Sequence, residues 1–327
     1  MILNVSKIFC MYLNNLHIYD TEETSGRHKD LALSSNEKAV FEYFYDRIYS
    51  SLIEKNPDAC KSEIRQYKQI ARENARYVTG LGTKTNISYK TTLRQWNYIY
   101  NWVEMFLEKK DYNCYEELVL ADMCEFYEKL GELEIDGQPI IEKKLADPYR
   151  RGFNLFGDFG ARNEIYDEDI YKVYYKCSST AFAQLQRHRP IYYTIYNPDK
   201  QKNIEYYIPN AIKAVEGLSE EWLDNLVAMN NIPQARLLDV RETGNTSFMI
   251  SDRLKERACN FAQEETHYIS SLVADKVFKG LGDTNPQLSK ELCDRYLNKN
   301  RRSFEDYNCP PCAKPCSKND VITFEKI

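Results

Sequence analysis

No stretch of this chain is apolar for long enough to cross a bilayer as a helix, which takes roughly twenty consecutive apolar residues. The opening Met1-Ile-Leu-Asn-Val-Ser-Lys7 lacks a basic region followed by a long apolar segment. No secretory leader is therefore expected, and a cytoplasmic location is. Positive charge is not in excess, since 44 lysines and arginines against 49 acidic residues leave a formal charge of −5. That balance argues against a general nucleic-acid binder, whose affinity comes from neutralising phosphates, but it allows a local basic pocket.

What is present is an ordinary soluble composition, 43% hydrophobic and 28% charged over 327 residues, enough for two domains with real cores. The 26 tyrosines suit half-buried surfaces and stacking on planar rings. Of the 10 cysteines, those from Cys10 to Cys293 are scattered and read as reduced, buried thiols. The run Cys309-Pro-Pro-Cys312-Ala-Lys-Pro-Cys316 is closer-set, and such thiols can clasp zinc or an iron–sulfur cluster. It offers no local fourth ligand, so the expectation for 306–327 is a flexible thiol-bearing tail without metal.

The stretch Ser178-Ser-Thr-Ala-Phe-Ala-Gln-Leu-Gln-Arg-His-Arg189 organises the rest. Its serines can cap a short helix carrying Ala181, Phe182 and Leu185, and Pro190 stops it. The far end gathers Gln184, Arg187, His188 and Arg189. Paired guanidinium groups suit an anionic partner because they donate planar, bidentate hydrogen bonds. The plainer alternative is a solvated basic helix end that complements its own dipole.

Ahead of that stretch, a helix is expected over Ser6–Leu13, then a polar segment through Glu23, Ser25 and Arg27. Ser34 and Glu37 have capping-box spacing, and Val40, Phe41, Phe44, Ile48 and Leu52 then line one helical face. Further helices are expected from Ile64 to Ala75, from Leu93 to Leu107 and from Tyr115 to Leu130, with a strand over Asn86–Lys90. Glycine and proline make 131–169 a looser linker. Strands follow at 170–175, 205–208 and 246–250, and helices at 219–229, from about 252 to 278, and after Pro286.

The two passes share an order of elements, which points to an internal repeat. Ser6-Lys-Ile-Phe-Cys-Met-Tyr12 lies against Ser178 to Gln184, and Ala75-Arg76-Tyr-Val against Ala235-Arg236-Leu-Leu. Gln184-Leu-Gln-Arg187-His188-Arg189 then resembles the start of the signature of flavin-dependent thymidylate synthases, the ThyX family, which reads Q-x-x-R-H-R and then S, N/Q, E, S, R and Y. The second copy loses the later half of that pattern at Tyr192, Thr194, Ile195, Asn197 and Asp199. The first copy does the reverse: Tyr12, Asn15, Leu16 and His17 replace Q-x-x-R-H-R, while Glu23-Thr-Ser25-Gly-Arg27 keeps E-x-S-x-R. The family's later block divides likewise. Ala75-Arg76 and Arg94 stand in the first copy with Val103 at the later arginine, and Arg257 with Ala262-Gln263-Glu264-Glu265 in the second. Arg236 is also kept there, while Thr246 and Phe248 sit near the lost N-x-R.

The resemblance implies an α+β fold of two ThyX-like copies, with mixed or antiparallel sheet and long helices, arranged as a fused pseudo-dimer. The copies would be 1–131, incomplete at its N-terminus, and 132–305, followed by the tail. It implies reductive methylation of dUMP to dTMP with FAD as cofactor and NADPH and methylenetetrahydrofolate as co-substrates. One composite site would hold the nucleotide through Gln184, Arg187 and Arg257 of the second copy and Glu23, Ser25, Arg27 and Arg76 of the first, with Arg257 stabilising charge on the activated ring. Arg187, His188, Arg189 and Arg94 would face the flavin. Two chains would rebuild the family's tetramer, so a homodimer is expected, with no membrane or nucleic-acid partner. A related pyrimidine-nucleotide methylase or hydroxymethylase, or a non-catalytic nucleotide- or flavin-binding subunit, are the alternatives.

Overall fold

In the computed structural model the described residues are 2–16, 33–88, 92–141, 170–188, 190–196, 198–201, 203–254, 257, 262–283 and 285–296. Strand β1 (Ile2–Ser6) runs straight into helix α1 (Lys7–Leu16), and Ser6 makes the junction: its hydroxyl accepts from Phe9 N at 3.3 Å. Helices α2 (Ser35–Lys55) and α3 (Lys61–Ala75) follow. The expected capping box opens α2, with Glu37 N donating to Ser34 Oγ and Ser34 N donating back to the Glu37 carboxylate. Strand β2 (Lys84–Ser88) pairs antiparallel with β1, and α4 (Leu93–Leu107) and α5 (Cys114–Gly131) complete the first half. A two-residue ladder, β3 (Glu134–Ile135) with β4 (Gln138–Pro139), turns through Asp136 and Gly137, both at positive φ.

The second half also opens on a strand that runs into a helix. Strand β5 (Ile170–Ser178) runs into α6 (Ser179–Leu185), and Ser178 Oγ accepts from Ala181 N at 3.1 Å. Then come β6 (Tyr192–Ile195), α7 (Asn210–Lys213), α8 (Leu218–Ala228), β7 (Leu237–Asn245), a helical stretch through Leu254, α9 (Glu264–Gly280) and α10 (Pro286–Tyr296). The sheet has order β5-β7-β6, with both pairings antiparallel. Tyr171, Val173, Tyr175 and Cys177 of β5 point inward while Lys172, Tyr174 and Lys176 point out, the period of a half-buried strand.

One apolar cluster joins Ile8, Phe9 and Tyr12 of α1 and the inner faces of α4 and α5 to β5, α6, β7 and α9. A second joins α2 and α3 to α7 and α8, with Trp222 edge-on to Phe44 at 4.8 Å. Each cluster draws on residues from both sides of residue 131, so the two halves bury their surfaces against each other. No helix among the described residues is long and apolar enough to cross a membrane.

The halves meet at an isolated antiparallel bridge. Gly80 and Pro233 form an antiparallel bridge, flanked by Leu81 N donating to Ile232 O at 2.9 Å and Gln234 N donating to Thr79 O at 3.1 Å. Gly80 and Pro233 stand equally far ahead of β2 and β7, whose first residues, Lys84 and Leu237, lie opposite Ser6 and Ser178. At the same spacing Thr92 caps α4 by accepting from Gln95 N, and Asn245 caps the next helical stretch by accepting from Phe248 N. An added Cβ at Gly80 would lie 2.6 Å from Asn231 Cγ and 2.9 Å from Glu37 Oε1, so those side chains would have to shift.

This register corrects the repeat read from Ala-Arg. Arg76 is the C-cap of α3, and the residue in the same place relative to α8 and β7 is Met229, not Arg236. Arg236 is buried, donating to Pro198 O at 3.3 Å and to Cys114 Sγ at 3.7 Å over the Tyr115 ring. The strand expected at 246–250 is helical, and the true strand ends where it was to begin. Glu242, on the inward face with Leu238 and Val240, breaks the apolar alternation that marks a strand. The stretch 205–208 makes only an isolated bridge, Tyr206 to Arg236.

Candidate functional site

Helix α6 is too short to hold its end group by itself; β5 anchors it from below. Ser178 N donates to Glu265 Oε1 at 2.6 Å and Ser178 Oγ donates to Glu265 Oε2, so the strand end and α9 are tied at one carboxylate. The same geometry recurs in the first half, where Ser6 N donates to Asp122 Oδ2 of α5 at 2.9 Å. There the carboxylate is closed by Lys84 of its own half. Glu265 instead accepts from Tyr77 OH, across the junction, at 2.8 Å.

Around that carboxylate lies a polar cluster drawn from both halves. Gln263 Oε1 accepts from Arg76 Nη2 at 3.0 Å and from Gln184 Nε2, while Gln263 Nε2 donates to Tyr77 OH. Thr266 Oγ1 donates to Gln184 Oε1 at 3.4 Å. Gln234 holds the backbone beside Arg76, donating to Arg76 O at 3.2 Å, and Lys7 Nζ donates to Thr79 Oγ1 at 2.6 Å. Arg76 Nε is buried without a partner among the described residues, as is Glu264 Oε2.

Electrostatics follow from burial with few counter-charges. Burial pushes the Glu265 carboxyl up to about 7 against the pull of its Ser178 and Tyr77 donors, and pushes Glu264 up to about 7 as well. Burial, then the Arg76 charge, lowers the Lys7 ammonium to about 7. Burial, then Glu265, holds the Tyr77 phenol well above its usual value, so it stays protonated.

His188 is buried, and its Nε2 accepts from Arg257 Nε at 2.8 Å. Burial, then Arg257 and Arg253, lowers it to about 3, so the ring is neutral and serves as an acceptor. Phe248 lies edge-on to it at 6.3 Å. Deeper in the core, Arg253 and Glu242 form a fully buried ion pair, with Tyr171 OH and Tyr175 OH each donating to Glu242 at 2.6 Å.

Of the residues singled out from sequence, Arg76 and Gln184 meet at Gln263, and His188 and Arg257 meet each other. Arg187 and Arg94 are exposed. Glu23, Ser25, Arg27 and Arg189 lie outside the described residues, as do Cys309, Cys312 and Cys316. Among the described residues no group of His, Cys, Asp and Glu could hold a metal ion. Sequence reasoning did not place Tyr77, Gln263, Glu265 or the Glu242–Arg253 pair in a site. The A-Q-x-E match carried Gln263 and Glu265, and the inward phase of β7 carried Glu242. Tyr77 gave no signal apart from tertiary contact. Comparison with protein-family models found no match, and comparison with curated protein sequences found none.

Proposed function

We propose that the chain is a flavin-dependent thymidylate synthase-like enzyme, two ThyX-like copies fused, that converts dUMP to dTMP with methylenetetrahydrofolate and NADPH. One observation carries the reading: Arg76 from the first half and Gln184 from the second, the residues that the resemblance assigns to one shared nucleotide site, converge on a single atom, Gln263 Oε1. Two features support the fused pseudo-dimer: each half has a strand running into a serine-capped helix, and the halves join at the antiparallel Gly80–Pro233 bridge. Two such chains would form the homodimer, in the cytoplasm.

In this reading Arg76 and Arg187 bind the nucleotide anion, and Gln184 orients the base through its carboxamide. Arg257, held on neutral His188, is fixed to face charge developing on the ring. FAD would supply hydride-transfer chemistry when bound. Exposed Arg187 and Arg94 fit the anionic part of that cofactor; buried His188 fits the holding of Arg257 better than direct contact.

The test is the visible spectrum of the purified full chain, with and without added FAD, titrated with dUMP. Flavin absorbance perturbed by dUMP, with the perturbation lost in Arg187→Ala, is the expected result. A protein that stays colourless with FAD and yet binds dUMP is a nucleotide-binding subunit. That second reading is favoured by the pairing of buried His188 with half-buried Arg257, which occupies both side chains with each other.

A further inference from the structure

Hydrogen-bond direction through the junction is set by Glu265 at one end, with the Arg76 guanidinium, which can only donate, at the other. An ionised carboxylate can only accept. With Glu265 charged, Ser178 N, Ser178 Oγ and Tyr77 OH all donate to it. Tyr77 has one proton, and it is spent on Glu265, so the phenol oxygen must accept from Gln263 Nε2. The Gln263 carboxamide is thereby oriented, its oxygen turned to Arg76 Nη2 and Gln184 Nε2. Each member draws its orientation from the one before, and the chain crosses from α9 to the first half and back.

We propose that Glu265 is a positioning residue: through Tyr77 it sets which way the Gln263 carboxamide faces, and so whether Arg76 and Gln184 are held together at the composite site. Protonated Glu265 has a hydrogen to donate to Tyr77. The phenol then turns its own proton to Gln263, and the carboxamide reverses. Its NH2 group now faces a guanidinium and a second NH2 group, donor against donor, and Arg76 and Gln184 separate. The ionised state holds Arg76 in place, its Nε buried without a partner among the described residues, and the protonated state releases it.

The groups around Glu265 leave it poised to change state. It is 3% exposed, and no lysine or arginine bonds it among the described residues. Glu264 and Tyr207 lie on one side, Cys177 below, and Arg76 beyond Gln263. Burial, against the pull of its Ser178 and Tyr77 donors, brings its carboxyl to about 7. The site is thus set to respond between about pH 6 and 8, with tighter nucleotide binding at the alkaline end.

The direct readout needs no ligand. In full-length protein labelled with 15N-glutamine, the Gln263 side-chain amide, identified by its loss in Gln263→Glu, is followed from pH 5.5 to 8.5. The expected result is a shift with a midpoint near 7, absent in Glu265→Gln and in Tyr77→Phe. No titration, or the same titration in Glu265→Gln, overturns the proposal. A second measurement links it to the composite site, on which the functional consequence rests. The dUMP affinity of Glu265→Gln should fall several-fold below wild type at pH 8 and converge with it at pH 6. An affinity ratio independent of pH overturns the coupling. If wild type binds no dUMP at any pH, the proposed function fails while the amide titration still decides the role of Glu265.

Discussion

Lys7, Glu264 and Glu265 are ionisable side chains kept where water cannot reach them, and their titration shapes stability in opposite directions. The two glutamates have folded values near 7, above the ordinary carboxylate value of 4.5. Between those limits the folded chain binds more protons than the unfolded one, so stability falls as pH rises. Lys7 has a folded value near 7, below 10.5, so from there upward the unfolded chain binds more protons and stability rises. Thermal midpoints should therefore pass through a minimum near pH 7, and Lys7→Met should remove the alkaline rise; a midpoint flat across that window would contradict these environments. Glu242 and Arg253 set a second residue-scale expectation. Arg253→Met leaves a carboxylate buried beside two tyrosines, and urea unfolding should register a loss of about 3–5 kcal/mol.

Among the elements, the serine-capped helix starts are where sequence and structure agree best, while strand β1 ahead of Ser6 was not expected. Capping is local: Ser34 with Glu37, and Ser178 ahead of Ala181, are readable because the partner is only three residues away. Ser6 and Ser178 were aligned as the starts of matching segments, and both cap. Ser178 does more, since its hydroxyl also donates to Glu265. Ser6→Ala should cost about 1 kcal/mol for the lost cap. Ser178→Ala should cost about 1–3 kcal/mol more, because a buried carboxylate loses a donor, and equal losses in denaturant titrations would contradict that assignment. Strand β7 was hidden for the opposite reason. Its inward Glu242 is tolerated only because Arg253, Tyr171 and Tyr175, all far from it along the chain or on another strand, satisfy it.

Across the whole molecule, the two halves share their cores and meet at the Gly80–Pro233 bridge, yet residues at matching spacings in the two halves are not alike. Where the second half presents Gln184, the first has Tyr12, buried against Trp102 and Phe106. Where the first half presents Arg76 at the C-cap of α3, the second has Met229. Arg76 and Gln184 meet in a polar cluster, whereas Tyr12 and Met229 pack in two separate apolar clusters. The similar order of elements was legible because periodicity and caps are local. The register was not, because the dipeptide Ala-Arg is short enough to recur by chance, and only the pairing of Gly80 with Pro233 fixes it. The composite nature of the site was suggested by the division of motifs, but the convergence of Arg76 and Gln184 on Gln263 required the fold.

The claim that the halves build one nucleotide site together is tested most directly by calorimetric titration of the full chain with dUMP in the presence of FAD. The account predicts one dUMP per chain, with affinity lost by ten-fold or more in both Arg76→Ala and Gln184→Ala. Two equivalent sites per chain, or binding that survives either substitution unchanged, would contradict it.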